Sequence, residues 1–477
     1  MGRMSGGADL DLGLAPLKYQ GLHPWEIFLS EAQERMTLAV APEQVQALLD
    51  LARRRDVEAT VLGTFTDSGV LVVRYKERVV GRLDMNFLYD SCPIMTLEAR
   101  WTPPQVPAPL PLRAGKCDSV LADLLADLNL CSKEFKSRQY DGEVKGLSVV
   151  KPYVGVHSDM PSDATVMRVE YDCPGGIILA EGINPFYSDI DTYAMMASVI
   201  DEGIRRVISA GGRLGQIAGL DNFCWPDPVE SAKTPDGRYK LAQLVRANKA
   251  LYDVTTAFSV PCISGKDSVK NDSTRGDRKI SIPPTVLFST IARMDDVRKA
   301  VTMDMKAVGD LIYVIGLTRR ELGASAFFRW LAQRQNTPTH VGGAVPSLDI
   351  PLALKIYQAM SQATDQGLLR SSHTPTRGGL AVAFALSAMG GDLGLEADLR
   401  KVPAKSGLTN DELLFSESNS RFVVTIAPEN ARALEALFQG LPCACIGCVT
   451  ENKIVRVKGL RGQKLLTAKT ASLRKAF

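Results

Sequence analysis

The chain has 477 residues, which predicts about three domains, and its 56 basic and 53 acidic side chains leave a formal charge of +3. This near balance, with no basic stripe, argues against a nucleic-acid partner, and the sequence has neither an apolar run of membrane length nor a signal peptide. The nine cysteines are scattered and odd in number, so we expect reduced thiols and a cytoplasmic protein.

Two stretches of the sequence share one pattern, WEIFLSEAQERMTLAVAPE at residues 25–43 and DELLFSESNSRFVVTIAPE at residues 411–429. An offset of 386 residues aligns the two stretches over their whole length and pairs, for example, Arg35 with Arg421. Each copy places a polar Ser-Glu turn between two apolar runs that we interpret as strands, followed by a helix with an apolar face. The chain is therefore predicted to contain two domains of one type.

The second copy of this repeat begins near a predicted strand at residues 311–316. The start of the first copy corresponds to a position roughly 80 residues further along the second copy. The first copy would then lack its opening strands and leave an apolar face and a sheet edge uncovered. We predict that it completes its fold against another polypeptide.

The middle of the chain begins with a proline-rich stretch, WTPPQVPAPLPLR at residues 101–113, which is typical of an extended linker. After it, strands and helices alternate. The predicted elements are a helix at residues 119–130, strands at 164–171 and 176–181, a helix at 192–210, a strand at 214–220 that leads into DNFCWPDP, and a helix at 239–258. Gly211 and Gly212 suit the left-handed C-terminal cap of the first long helix.

The stretch PCISGKDSVKND, residues 261–272, follows this alternation, and here an apolar run opens into a polar turn that carries Gly265, Lys266, Asp267 and Ser268. A glycine lets backbone N–H groups approach phosphate oxygens, a lysine adds a cation, and aspartate and serine oxygens can bind a metal that bridges phosphates. The earlier glycine of a Walker loop is missing. The pattern predicts a phosphate and magnesium site, and a solvated turn after a buried strand is the alternative.

Two features of the last third also leave two interpretations. In HTPTRGGLAVAFALSAMGG, residues 373–391, a glycine turn precedes a helix that is apolar on all sides; its N-terminus could hold an anion, or the glycines could serve close packing.

The cluster Cys443, Cys445 and Cys448 could bind zinc, but no fourth ligand is near and PCACIGCVT is typical of a buried strand. No cysteine lies in a G-x-C-x-G elbow, so no glutamine-hydrolysing nucleophile is visible.

Five motifs in order make the chain resemble the phosphoribosylformylglycinamidine synthase family of the aminoimidazole ribonucleotide synthase superfamily. They are LSEAQERM at residues 29–36, RQYDGEVKG at 138–146, SGKDS at 264–268, RELGAS at 320–325 and HTPTRGGL at 373–380. The resemblance implies an α+β fold in which N-type domains, each a sheet with helices on one face, alternate with C-type α+β domains in a tandem repeat. The first repeat would be truncated here.

In these terms the chain is predicted to contain the C-terminal part of a first C-type domain, a linker, a second N-type domain that binds ATP, and a second C-type domain. The corresponding residues are 1–95, 96–118, 119–300 and 301–477.

The resemblance also implies a reaction, in which ATP activates the amide oxygen of formylglycinamide ribonucleotide as an iminophosphate and ammonia displaces phosphate to give the amidine. The expected cofactors are ATP and Mg²⁺. The expected partners are the N-terminal half of the synthase, a separate glutaminase that supplies ammonia and a small accessory subunit, with no nucleic acid and no membrane. A non-catalytic scaffold or regulatory subunit of the same complex is the alternative.

Site residues follow from the resemblance position by position. Glu31, Ala32, Gln33 and Ser268 match substrate contacts, Asp227, Gly265 and Lys266 match ATP contacts, and Asp267 is the expected metal ligand. Some family members have an asparagine where Lys266 stands, so a direct contact between lysine and phosphate could also replace the metal ligand. The family's catalytic histidine belongs to the first N-type domain, so none is expected in this chain.

Three positions depart from the family pattern. Gly142 replaces a histidine after Tyr140 and Asp141, Arg377 replaces a metal-binding aspartate, and Arg206 replaces an asparagine four residues after Glu202. An arginine cannot ligate a cation. We therefore expect the auxiliary nucleotide site of some family members to be degenerate in this chain.

Overall fold

The computed structural model describes residues 2–33, 35–109, 117–276, 278–335 and 342–477. The chain forms two compact units, Met1–Thr96 and Leu97–Phe477. Part of the predicted linker, residues 110–116, lies outside the described residues.

The first unit is a small sheet with short helices. Its strands are β1 (Ala8–Asp11), β2 (Gly63–Phe65), β3 (Val70–Tyr75) and β4 (Arg78–Asp84), and its helices are α1 (Gly2–Ser5), α2 (Pro24–Leu29), α3 (Val45–Arg54) and α4 (Met85–Asp90). The sheet order is β2-β1-β3-β4, with β1 antiparallel to β2 and parallel to β3. Leu12, Ile27 and Val73 form its small buried core.

The second unit opens with a six-stranded sheet. Its elements, in chain order, are α5 (Cys117–Leu125), α6 (Glu134–Ser137), β5 (Ser148–Val150), β6 (Tyr153–Val154), β7 (Met160–Pro161), β8 (Thr165–Arg168), β9 (Gly176–Ile183), α7 (Thr192–Ser209), β10 (Ile217–Cys224), α8 (Gly237–Phe258), β11 (Cys262–Ser268), β12 (Asp272–Arg275), β13 (Arg278–Ser281) and β14 (Thr285–Met294). The sheet order is β11-β10-β14-β9-β8-β5. Helix α7 packs on β9 and β14, and α8 packs on α7.

A seven-stranded sheet fills the rest of the second unit. Its elements are β15 (Leu311–Ile315), α9 (Ala326–Arg334), α10 (Ile350–Asp365), β16 (Leu369–His373), α11 (Gly379–Gly391), β17 (Gly394–Asp398), α12 (Asn410–Phe415), β18 (Phe422–Ile426), α13 (Ala431–Leu437), β19 (Cys443–Thr450), β20 (Ile454–Lys458), β21 (Lys464–Lys469) and α14 (Thr470–Ala476). The order is β16-β18-β15-β19-β17-β20-β21. One continuous hydrophobic core joins both sheets, and the predicted boundary after residue 300 stays a prediction.

The long helices of the second unit confirm the sequence pattern. Helix α7 begins where the Asp191 carboxylate accepts a hydrogen bond from the Tyr193 N–H at 2.7 Å and ends before Gly211, whose φ of +106° only glycine adopts easily. Helices α8 and α11 also lie where the apolar pattern predicts them. Among the described residues no helix has the length and apolarity to cross a membrane.

The structure corrects the prediction of paired strands around each Ser-Glu turn. The run before the turn is a helix in both copies, α2 and α12, because a glutamate in the first turn accepts a hydrogen bond from the residue before the helix. These bonds run from His23 N–H to Glu26 and from Thr409 N–H to Glu412, each 2.7 Å long. The run after the turn is a strand only in the second copy, where it is β18.

Candidate functional site

The GKDS stretch lies in β11, the edge strand of the six-stranded sheet, and not in a turn after a buried strand as predicted. Helix α8 ends at Ser259 in a left-handed conformation, and the strand then runs through Ser268 with exposed side chains along nearly its whole length. As an edge strand it is paired on one side only, through parallel bonds to β10.

Because side chains alternate along a strand, the four residues divide between two faces of the sheet. Lys266 Nζ donates a hydrogen bond to Ser268 Oγ on one face. On the other face Gly265 lies opposite Asp221 of β10, and a Cβ added to this glycine would lie 3.2 Å from an Asp221 carboxylate oxygen. Asp267 is on the same face, so the candidate lysine and the candidate metal ligand point in opposite directions.

Asp221 is a candidate ligand that the sequence analysis missed. Partial burial, and then the negative charge of Asp267, raise the pKa of the Asp221 carboxyl above its ordinary value. Two carboxylates on neighbouring strands supply the oxygen ligands that Mg²⁺ prefers. The signal in the sequence was the aspartate of DNFCWPDP, whose position beside GKDS follows only from strand register.

The structure brings Asp227, a predicted ATP contact, to the end of the GKDS strand. The Trp225 N–H donates to the Ser268 carbonyl at 2.8 Å, and the Asn271 N–H donates back to the Trp225 carbonyl at 3.0 Å. Trp225 is fully buried, which anchors the loop. Asp227 Oδ1 accepts from the Val229 N–H at 3.0 Å, so this carboxylate is oriented by its own turn.

Two lysines and a second aspartate surround Asp227. Lys279 Nζ lies 3.2 Å from Asp272 and 3.8 Å from Asp227, and Lys270 Nζ lies 4.0 Å from Asp227. Burial opposes ionisation of Asp272, but hydrogen bonds from Ser281, the Asp227 N–H and Lys279 outweigh it and lower the pKa of this carboxyl. Lys279 of β13 and Lys270 thus lie close to the Asp227 carboxylate, and such ammonium groups can bind phosphate oxygens.

The predicted substrate contacts Glu31, Ala32 and Gln33 lie in the first unit, where each is exposed. They form the turn that follows α2, and Arg35 Nη2 closes this turn by donating to the Ser30 carbonyl at 2.5 Å. Their role in substrate binding stays a prediction.

The equivalent turn of the second unit has a structural role. Buried Glu417, which aligns with Glu31, accepts hydrogen bonds from the Ala326 and Gly378 N–H groups at 2.9 Å each and from the Tyr187 hydroxyl. The N-terminus of α11 therefore does face an acidic group, but this group is the side chain of Glu417, whose pKa burial raises. The glycines also serve close packing, because a Cβ at Gly379 would lie 2.6 Å from the Ser416 carbonyl oxygen.

The two arginines expected at the positions of family metal ligands both have partners. Arg206 Nη2 lies 2.7 Å from Glu202 Oε1, and Arg377 donates to the Ile183 carbonyl. The nearby cavity, lined by Arg377, Arg329 and Glu417 among others, has room for about one water molecule. This cavity is too small for a nucleotide.

The cysteine cluster of the last third lies in β19, as the strand interpretation predicted. Burial raises the pKa of the Cys443 thiol to about 12, which disfavours the thiolate that zinc requires. Within the described ranges, no group of three or more histidine, cysteine, aspartate or glutamate side chains is arranged to hold a metal ion. The pair Asp221 and Asp267 would therefore need further oxygens from a ligand or water.

Comparisons with known proteins agree with this fold. The family described as AIR synthase related protein, C-terminal domain, matches residues 3–76 and 307–459. The chain is 30% identical over 454 residues to phosphoribosylformylglycinamidine synthase subunit PurL of Thermococcus sibiricus, a match that covers 95% of this chain and 59% of that protein.

Two solved structures of T. maritima PurL also match. The one complexed with AMPPCP gives a TM-score of 0.56 at 20% identity and covers 93% of this chain and 60% of that chain. The one complexed with FGAR gives 0.56 at 17% identity and covers 75% and 53%. At these identities the match establishes an AIR synthase-like α+β fold. The chain spans less than two thirds of the length of these relatives.

Proposed function

We propose that this chain belongs to the AIR synthase related family and that it is the C-terminal half of a phosphoribosylformylglycinamidine synthase. In the proposed reaction the amide oxygen of formylglycinamide ribonucleotide attacks the γ-phosphorus of ATP and ADP leaves. Ammonia then adds to the activated carbon, and the oxygen departs with the phosphate to give the amidine. Such a ligase contributes mainly position and electrostatic stabilisation.

The observation that carries the proposal is the joint between the Asp227 loop and the GKDS strand. It places Asp227, with Lys270 and Lys279 near its carboxylate, at the end of the exposed strand that carries Lys266 and Ser268. We propose that these cations meet the phosphates of ATP, that Asp227 also contacts ATP, and that Ser268 contacts the ribonucleotide. Gly265 would let the strand backbone approach the nucleotide, because it has no side chain.

The residues present are compatible with Mg²⁺. Asp221 and Asp267 share one face. Burial is the main cause of the raised pKa of Asp221, and the negative charge of Asp267, which a cation would offset, adds to it. When bound, Mg²⁺ would neutralise phosphate charge during phosphoryl transfer. Because the two carboxylates lie on the face opposite Lys266, a phosphate chain that meets both would have to pass the open edge of β11. The two carboxylates are the side chains that would hold it, and their fixed positions on neighbouring strands would set its place on the sheet.

The proposed partners are the remaining part of the synthase, a separate glutaminase that supplies ammonia and a small accessory subunit. The relatives' name, subunit PurL, supports a multi-subunit enzyme. We propose that the exposed face around β11 binds ATP only together with the remaining part. We also propose that the turn at Glu31, Ala32 and Gln33, in the other unit, needs the remaining part to bind substrate. The proposed location is the cytoplasm.

Calorimetric titration of the complete complex with Mg²⁺ and AMPPCP tests the nucleotide site. We expect saturable binding that Lys266→Ala weakens and Lys249→Ala, an exposed lysine on α8, does not. If both variants keep full binding, the GKDS residues do not belong to the nucleotide site. Intact binding with no amidine formed from ATP, formylglycinamide ribonucleotide and ammonium would favour the scaffold alternative.

A further inference from the structure

A cavity of about 480 Å³ lies in the second unit, where the turn between β19 and β20 meets the end of β21 and the start of α14. None of its lining residues belongs to the candidate nucleotide site. Small-molecule pockets in proteins have volumes of about 300–1,000 Å³, so this cavity has room for a metabolite. Its charged lining consists of four basic side chains and one acidic side chain, which are Lys453, Lys469, Arg474, Lys475 and Asp392.

The wall of this cavity is fixed by hydrogen bonds of the backbone. The Lys453 carbonyl accepts from the Thr470 N–H at 3.0 Å and from the Thr470 hydroxyl at 3.1 Å, and these bonds tie the β19–β20 turn to the start of α14. Within the turn, Asn452 Oδ1 accepts from the Ile454 N–H at 3.1 Å. Thr470 is buried. The cavity is therefore already formed before a ligand binds, which lowers the cost of ordering it.

Helix α14 presents one face to the cavity. Ala471, Arg474 and Lys475 all line it, because residues three and four positions apart lie on the same side of a helix. Leu473, which points away from this face, is buried in the core. The small side chain of Ala471 takes up little of the space beside the two cations. With Ile454 it gives the cavity an apolar part.

Two of the four basic side chains already have acidic partners. Lys453 Nζ lies 2.6 Å from Asp392 Oδ2, and Arg474 pairs with Asp159, which is not part of the cavity lining. The Arg474 guanidinium also donates to the Met389 carbonyl. Each of the two ion pairs is electrically balanced, so they hold the side chains in place and leave the cavity no net charge.

The other two basic side chains, Lys469 and Lys475, are exposed, and within the described part of the chain their ammonium groups have neither an ion pair nor a hydrogen bond. The cavity therefore has two positive charges that no acidic side chain offsets. A phosphate monoester carries a charge of about −1.5 to −2 at pH 7 and has three strong acceptor oxygens. A single carboxylate would balance only one of the two lysines.

We propose that this cavity binds a phosphate monoester of a small organic molecule, such as a sugar phosphate. The phosphate contacts Lys469 and Lys475, and the organic part packs against Ile454 and Ala471. The proposal does not depend on the proposed ligase reaction, because it uses none of the residues assigned to that reaction.

Isothermal titration calorimetry of the 477-residue chain with ribose 5-phosphate tests this site. We expect one site per chain with a Kd below about 1 mM, the scale that a compound of this size can reach. Ribose, which lacks the phosphate, should not bind measurably. Inorganic phosphate should bind about tenfold more weakly or worse, because it has no organic part to bury against the apolar side chains.

Substitutions place the ligand in this cavity. Lys469→Ala and Lys475→Ala should each raise the Kd by about tenfold, because each removes a charged hydrogen-bond donor. Lys464→Ala, which removes an exposed lysine at the other end of β21, should leave the Kd unchanged. Ala471→Phe keeps every charge but fills the cavity, and it should abolish binding. Because Ala471 is exposed, the melting temperature of this variant should equal that of the unmodified chain.

Three results would overturn the proposal. They are no saturable binding of ribose 5-phosphate, equally tight binding of inorganic phosphate, and binding that is unchanged by Ala471→Phe or by the loss of either lysine. If Lys266→Ala weakens the binding and Lys469→Ala does not, the phosphate belongs to the GKDS strand. That result would overturn this site while supporting the proposed nucleotide site.

Discussion

The Trp225 N–H donates a 2.8 Å hydrogen bond to the carbonyl of Ser268, and this bond ties two distant stretches of sequence into one site. Trp225 is fully buried and begins the loop that carries Asp227, while Ser268 ends the exposed strand that carries Lys266. The buried side chain of Trp225 thus fixes the position of the polar residues at the end of the strand. Polar groups held in this way keep their geometry while the surface around them stays open to ligands.

Lys266→Ala should lower kcat/KM of the complete complex about a hundredfold, which corresponds to about 3 kcal/mol of transition-state stabilisation. The loss follows because no other side chain in the strand supplies a cation at that point. Steady-state kinetics with ATP as the varied substrate measures it, and Lys249→Ala serves as the control. An unchanged rate would mean that the strand is only structural.

Some residues of this candidate site were predicted from the sequence, and others were not. The lysine, the serine and the Asp227 loop were predicted from residue types and the family resemblance, and the structure brings them together. The alternation of faces was not predicted, because the polar GKDS residues are typical of a turn and only the pairing with β10 makes them a strand. Asp221 was missed for the same reason.

The elements of the fold were likewise predicted only in part. Long helices with an apolar face, such as α7, were predicted to within a few residues. The short run WEIFL was interpreted as a strand and is a helix, because a run of five apolar and acidic residues has too few turns to reveal its period. Residues 36–40 have strand composition but pair with no strand among the described residues, since a strand needs a neighbour.

Asp221→Asn should raise the melting temperature of the chain near pH 7. The carboxyl pKa in the folded protein is raised, so folding favours its protonated form and the ionised form costs stability at neutral pH. The gain should vanish as the pH falls through that raised pKa, because the wild-type carboxyl is then neutral too. Thermal denaturation from about pH 4 to pH 8 measures this.

The same substitution should weaken binding of Mg²⁺ with AMPPCP to the complete complex by about tenfold, because one of two carboxylates is lost. A variant that is more stable but binds less tightly would identify Asp221 as a functional residue. Stabilisation with unchanged binding would show that the cation is held elsewhere.

Arg206→Ala should lower the free energy of unfolding by about 3 kcal/mol, since it leaves the Glu202 carboxylate buried without its partner. Arg213→Ala removes a more exposed ion pair, with Asp365, and should cost less than about 1 kcal/mol. Urea denaturation of both variants makes the comparison. Equal losses would show that the Arg206 pair is not stabilising the interior.

No nucleotide should remain bound near Glu202 and Arg377 after purification. Arg206 already pairs with Glu202, and the adjacent cavity admits about one water molecule. Denaturing the protein and analysing the released small molecules by mass spectrometry checks this. Stoichiometric ADP with magnesium, located at these residues in a crystal structure, would contradict the prediction.

The most direct test of the proposed half-synthase is amidine formation from ATP, formylglycinamide ribonucleotide and ammonium, measured for the purified chain alone and after addition of the polypeptide that supplies the remaining part of PurL. We expect no measurable turnover by the chain alone and ATP-dependent amidine synthesis by the mixture. Turnover by the chain alone, or an inactive mixture that has formed a stable complex, would contradict the account.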